Sequence, residues 1–252
     1  MPGLQASRAL GIAAGALVSP LLYPFFFARG ARFFHPSGVV HSARVVPPTG
    51  VAAGAPADLA ARLVGPALVR FAGGWFSGEA GKDSLGISLR FHDQPLPSAL
   101  HGKGDQDLYF VSFPSFVLRK FISGIHQTYL HDYLANTYWA VAPYEVDGFG
   151  RVSLRLTASG AGRPGVDRAE RLQRAVEEGV ARLLLEAAPL GSEVHLPVAE
   201  IRLGSRLSQN LETELRTVPG SSGRGLRPSG FLQGLRVVPY AACQHARRLR
   251  GR

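Results

Sequence analysis

Residues 83–92, DSLGISLRFH, place Leu85, Ile87, Leu89 and Phe91 at every second position. A period of two is that of a half-buried β-strand, whose successive side chains point to opposite faces. Working outward, the runs VVHSARVV (39–46), DLYFVSF (107–113), TYWAVAPYEV (137–146), RVSLRLTA (151–158), LLLEAAPL (183–190) and EVHLPVAEIRLG (193–204) also predict strands, and the turn DGFG makes antiparallel neighbours of two of them. Helices are expected from Asp58 to Leu63 with Asp58 as cap, at helical spacing between Phe116 and Asn136, and after Asp167, where Leu172, Val176, Val180 and Leu183 share a face. The Gly/Pro/Ser-rich stretch TVPGSSGRGLRPSG (217–230) reads as a long loop delivering a last helix. Strands interrupted by helical insertions predict an α+β fold built on an antiparallel β-barrel.

The composition supports a packed core. Of 252 residues, 46% are hydrophobic and 18% charged, and the single cysteine, Cys243, excludes an intramolecular disulfide and a Cys-rich zinc site. The net charge is +10, but no run of lysines accompanies it. No acidic residue precedes Asp58, and Arg247, Arg248, Arg250 and Arg252 crowd the end. Arginines scattered among Gly, Phe and Tyr suit a small dianion held by forked guanidinium groups better than they suit nucleic acid.

Between Arg8 and Arg29 lie 20 uncharged residues, near the length of a membrane-spanning helix, with Pro20 and Pro24 spoiling a simple span. Membrane-surface association or a hydrophobic lid, a helix docked on the body, and an export signal all stay open for this segment. Cytoplasm is the expected compartment, with membrane association open.

Familiar catalytic motifs are absent. His126 and His131 stand five apart, so they do not share a helix face as a zinc pair would, and there is no GxSxG, P-loop or GxGxxG. What remains is the segment 231–251, FLQGLRVVPYAACQHARRLRG, in which Tyr240 and Arg247 follow Arg236 by four and eleven residues. On a helix these offsets return to one face. Positive charge beside a phenol favours the phenolate, the form that binds ferric iron. Pro239 is tolerable if that helix begins near Leu235.

These residues resemble a catalase-related haem protein reduced to its core. The last segment is similar to the family's proximal helix, Leu232-Gln233-Gly234 included, with a one-residue slip at Leu235. Near the other end, Arg32, Phe33, Phe34, His35 and Gly38 resemble the family's distal-histidine segment, and ALVRFAG, DSLGISLRF, DLYFVSFPSF and TYWAVAPYEVDGFG follow in the family's order. The similarity runs from about Ala31 to Gly251, which divides the chain into an apolar segment, 1–30, and a catalase-like haem domain, 31–252.

The resemblance implies a catalase-type barrel with a C-terminal proximal helix and haem b as cofactor. Tyr240 would ligate the iron, Arg236 would stabilise its phenolate, and Arg32, Arg70 and Arg247 would pair with the propionates. His35 would shuttle a proton between the peroxide oxygens. His41 is the rival histidine, expected outside the pocket. The family's distal asparagine aligns with Val111 or Ser112, so Ser112 is the remaining polar candidate there; Ala72 replaces a serine and Ala242 an acidic residue.

The implied function is a haem-dependent peroxidase that reduces hydrogen peroxide or organic hydroperoxides with an organic electron donor and has weak catalase activity. A lipid-hydroperoxide isomerase resembling allene oxide synthase and a non-enzymatic haem-binding protein are the alternatives. Peroxide and donor are the expected partners, nucleic acid is not, and membrane-surface contact and a homo-oligomer stay open.

Overall fold

The computed structural model describes residues 2–29, 35, 37–76, 78–94, 98–114 and 118–249; within these, the side chains of residues 2–5, 25, 26, 29, 118 and 247 are not described. Helix α1 (Pro2–Arg29) precedes β1 (Gly38–Val46), α2 (Ala55–Leu63), β2 (Gly65–Gly73), β3 (Leu85–Phe91) and β4 (Gln106–Val111). Then come α3 (Leu118–Gln127), β5 (Thr137–Ala140), β6 (Tyr144–Val146), β7 (Gly150–Ser159), α4 (Arg168–Glu177), β8 (Arg182–Pro189) and β9 (Leu196–Arg206). The chain ends with α5 (Gln209–Glu214), β10 (Leu226–Pro228) and α6 (Phe231–Leu249).

All strand pairs are antiparallel, and eight strands close on themselves in the order β1-β2-β3-β4-β5-β7-β8-β9, with β9 pairing back onto β1. This is the closed antiparallel barrel within an α+β fold that the sequence predicts. The alternation in β3 does what its period requires: Leu85, Ile87, Leu89 and Phe91 are buried in the main hydrophobic core with Phe71 and Phe110, while Gly86, Ser88 and Arg90 belong to the other face. Each fully buried Phe or Leu there contributes about 1.5–3 kcal/mol through removal of apolar surface from water.

Several local expectations need correction. Helix α2 starts at Ala55, with Gly54 at the cap position and Pro56 in its first turn, so Asp58 lies inside the helix. Asp167 does cap α4, accepting from the Glu170 N–H, but α4 stops at Glu177. Gly179 follows with φ 70°, a left-handed position glycine adopts without a Cβ clash, so Val180 lies beyond the helix and Leu183 belongs to β8. Helix α6 begins at Phe231 rather than near Leu235, which puts Pro239 inside it.

That proline shapes how α1 docks. Pro239 has no N–H, so the Leu235 carbonyl loses its intrahelical donor. Gly15 of α1 covers it: a Cβ on Gly15 would stand 2.6 Å from that oxygen. Gly11 and Gly234 meet in the same way, each against backbone of the other helix. The helices run in the same direction, since Gly11 lies at Gly234 and the Tyr23 hydroxyl meets His245 Nδ1 at 3.0 Å. Of the readings left open for the N-terminal segment, the structure shows a helix docked on α6, and that helix is also long and apolar enough over Ala6–Pro24 to cross a membrane.

The long loop after α5 is pinned by buried polar groups. Arg90 and Asp107 form a two-bonded ion pair (2.7 and 3.0 Å) that is almost wholly buried. Asp107 also accepts from Val218 N, its own N–H donates to Ser221 Oγ, and Arg90 donates to the carbonyls of Ala99 and Arg216. Residues 215–218 are thereby held over the outer face of β4.

Candidate functional site

The outer face of the barrel at β3 and β4 meets α6 only in part, through Tyr109. A cavity of about 510 Å³ lies between them. Gly74, Ser84, Ser88, Tyr109 and Val111 line its barrel side, and Leu232, Leu235, Arg236, Pro239 and Tyr240 line its helical side. The alternation in β4 explains the choice of side chains: Leu108 and Phe110 belong to the core, which turns Tyr109 and Val111 toward α6.

His35 lines the barrel side. Its φ of 58° places it in the left-handed region, sparsely used by residues other than glycine and found where surrounding structure dictates the conformation. The surroundings do so here. His35 N–H donates to the Gly74 carbonyl (2.7 Å), the Arg70 guanidinium donates to the His35 carbonyl (2.8 Å), and ring atom Nδ1 lies 2.8 Å from the Gly73 carbonyl. A carbonyl only accepts, so Nδ1 carries the proton and Nε2 is left with its lone pair. The imidazole lies on Gly86, where a Cβ would come within 2.6 Å of Nδ1 and closer still to Cε1. Only glycine leaves that space.

Burial and then the neighbouring Arg70 lower the His35 pKa to about 4, against the raising effect of the Gly73 carbonyl and Asp83; Arg236 lowers it further. The ring is therefore neutral at neutral pH. Asp83 holds the loop above it by accepting from the N–H groups of Trp75, Phe76 and Ser84.

On the opposite side, the Tyr240 hydroxyl meets the Thr217 hydroxyl at 3.3 Å. Its ring is edge-on to Tyr109 at 5.8 Å, and the Arg236 guanidinium stands 4.8 Å over the Tyr109 ring. Tyr109 is buried, and among the described residues its hydroxyl makes no hydrogen bond of full geometry, although the Thr217 hydroxyl acts on it. Burial first, then the Tyr240 and Asp107 charges, push its pKa well up, with Thr217 and Arg236 opposing. Tyr109 is thus a neutral phenol, while Tyr240 meets the Thr217 hydroxyl and follows Arg236 by one turn of α6.

The structure brings together His35, Arg236 and Tyr240 from sequence-distant segments. Arg70 stands behind His35, buried against Glu212 (Nε to Oε1, 2.8 Å), so its guanidinium meets a carboxylate of this chain where a propionate was expected. Ser112 is not among the lining residues; its hydroxyl accepts from Leu85 N at 2.9 Å and bonds Thr128 Oγ1 at 2.8 Å. Val111 is the lining residue of that pair. His41 packs on the Phe71 ring with Nδ1 3.0 Å from the Gly204 carbonyl, away from the cavity as expected. Arg32, with Phe33 and Phe34, lies outside the described residues, as does the side chain of Arg247.

Tyr109, Thr217 and Gly86 were missed from the sequence. Tyr109 could have been found, because it shares strand parity with Val111. Thr217 carries no such signal, since its loop is brought to the site by the buried Arg90–Asp107 pair and by Gln106, Gln233 and Gln244, all distant from it in local spacing.

Among the described residues, no cluster of three His, Cys, Asp or Glu side chains could hold a metal ion. A porphyrin iron needs no such cluster, since the porphyrin supplies four ligands and a protein need add only one axial donor. The donor set, the cavity size and its mostly apolar lining fit such a group.

No protein-family model and no curated protein matches this sequence. Among solved structures, the chain is similar to catalase A from Saccharomyces cerevisiae, with 14% identity and a TM-score of 0.54 over 86% of this chain and 61% of that one. It is likewise similar to a fungal catalase, with 14% identity and a TM-score of 0.51 over 82% of this chain and 57% of that one. The chain spans about three fifths of the length of those catalases. At that identity the likeness is one of fold.

Proposed function

We propose that this protein is a haem-dependent peroxidase that reduces peroxides with an organic electron donor. The observation that carries the reading is the pairing across one cavity of a neutral histidine with a free Nε2 and a tyrosine one helical turn from an arginine. Tyr240 would hold the iron of haem b through its phenolate oxygen, with Arg236 one turn before it on α6. Bound there, haem supplies the electron-accepting and electron-donating chemistry that splits a peroxide O–O bond.

This chain's own part is proton transfer and orientation. His35 Nε2 accepts the proton of one peroxide oxygen and returns it to the other, so that the leaving oxygen departs as water or alcohol. The Nδ1–H to Gly73 bond fixes the tautomer, and Gly86 fixes the ring position. In the folded protein the imidazole titrates at about 4, so it stays a competent base down to mildly acidic pH.

Val111, Phe113, Ile87 and Phe121 make the surroundings apolar. A second cavity of about 510 Å³ shares Val111, Phe113, Val141 and Leu232 with the first and adds room for a bulky tail. A hydrophobic hydroperoxide gains by desolvation there, and hydrogen peroxide gains little. Donor oxidation should therefore outrun oxygen release. The same lining favours lipid-hydroperoxide isomerisation as the second reading. Paired turnover on one haem-loaded preparation, measuring oxygen evolution beside donor oxidation by hydrogen peroxide and by an alkyl hydroperoxide, tests the proposal. Vigorous oxygen evolution with negligible donor oxidation overturns it, and conversion of a lipid hydroperoxide without donor consumption selects the second reading.

A further inference from the structure

Helix α1 is inside out. From Ala6 to Ala28, every exposed side chain that is described is apolar, whereas Ser7, Arg8, Ser19 and Tyr23 are partly or wholly covered. Ser19 is buried with its hydroxyl on the Gly15 carbonyl at 2.6 Å, and Tyr23 bonds His245. A helix docked on a water-soluble body normally shows the reverse pattern. The outward stripe is formed by Leu10, Leu17 and Leu21, which are 66%, 79% and 72% exposed, at offsets of seven and four that return to one face.

Charge identifies what covers it. Neither α1 nor α6 contains an acidic residue. Because the helices run in the same direction, the C-terminal ends of α1 and α6 lie together at one end of the stripe, and α6 carries the exposed Arg248 there. An apolar stripe with a basic end complements a bilayer with anionic headgroups, where hydrocarbon receives the leucines and phosphates receive the guanidinium. A second copy joined about a two-fold axis through this pair would bring basic helix ends against a face that has no carboxylate on α1 or α6.

We propose that the outer face of the α1–α6 pair docks in the plane of an anionic phospholipid membrane. Docking needs neither haem nor Tyr240, so it stands apart from the peroxidase reading. Leu22 lines the cavity while its neighbour Leu21 is exposed, so one helix separates the cavity from the lipid.

The test is co-sedimentation of the full chain with vesicles of phosphatidylcholine alone or mixed with phosphatidylglycerol. The wild type should sediment with the mixed vesicles, less with phosphatidylcholine, and less at high salt. The variant carrying Leu10→Gln, Leu17→Gln and Leu21→Gln should partition at least about tenfold more weakly, because each loses a buried apolar side chain on docking. Its circular dichroism should match the wild type, as these side chains face outward. Sedimentation velocity without lipid supplies the other arm. Wild type that stays in the supernatant with both lipids overturns the proposal, as does a lipid-free dimer that the triple variant makes monomeric. Equal vesicle binding by the folded variant and the wild type also overturns it.

Discussion

The two sides of the cavity are built by opposite means. The barrel side is held mainly by paired buried polar groups: Arg90 on Asp107, Arg70 on Glu212 and the His35 carbonyl, and the His35 ring on Gly73. The helical side relies more on glycines packed against backbone and on apolar contacts, with α6 also tied by Gln233 and Gln244 to the carbonyls of Pro219 and Thr217 and by His245 to Tyr23. Directional, desolvated hydrogen bonds fix atoms in place, which a proton-transfer group needs. Glycine contacts bring the two helix backbones close with fewer directional bonds than the barrel side uses.

Removing a charge from the barrel side should be the costliest change. Arg90→Ala leaves Asp107 buried and unpaired, and an expected loss of about 3–5 kcal/mol should appear in urea denaturation. A loss below about 1 kcal/mol would mean that the pair does not organise the loop over β4.

Next comes Gly86→Val, which places a side chain where the imidazole lies. The haem-loaded variant should oxidise donor at least about 10²-fold more slowly, as His35→Ala should, with an unchanged ferric spectrum. A smaller, graded effect is expected from pH. Because the His35 pKa is lowered in the folded state to about 4, activity should hold on acidification and fall by half near pH 4. Sign follows from the same shift: between its usual value and about 4 the unfolded chain binds the extra proton, so the stability from a neutral His35 is lost as pH falls through that window. An activity midpoint near the ordinary histidine value would place the ring in water.

Smallest of all should be Tyr109→Phe. Among the described residues its buried hydroxyl makes no hydrogen bond of full geometry, so removing it should leave stability unchanged or raise it by up to about 1 kcal/mol in thermal unfolding.

How much of this was legible in the sequence follows the same division. The barrel strands announced themselves by period, because one face of each is dry, and Asp167 announced α4 by its capping chemistry. Helix α2 misled because Asp58 has the composition of a cap while Gly54 and Pro56 do the work of starting the helix. In the site, Tyr240, Arg236 and His35 were legible through their spacing and the resemblance they carry. Arg70 and Ser112 have the right chemistry, yet their partners Glu212 and Thr128 come from elements that local spacing does not connect to them. Thr217 depends on a buried ion pair between two strands, and α1 on glycines whose value appears only once a second helix is beside them.

The pairing of His35 with Tyr240 across a haem-sized cavity is tested most directly by the ferric absorption spectrum of the protein loaded with haem, wild type beside Tyr240→Phe. The wild type should bind haem and show tyrosinate charge-transfer bands that the variant lacks. A variant that keeps the wild-type ferric spectrum, or a wild type that binds no haem, would contradict the assignment of Tyr240.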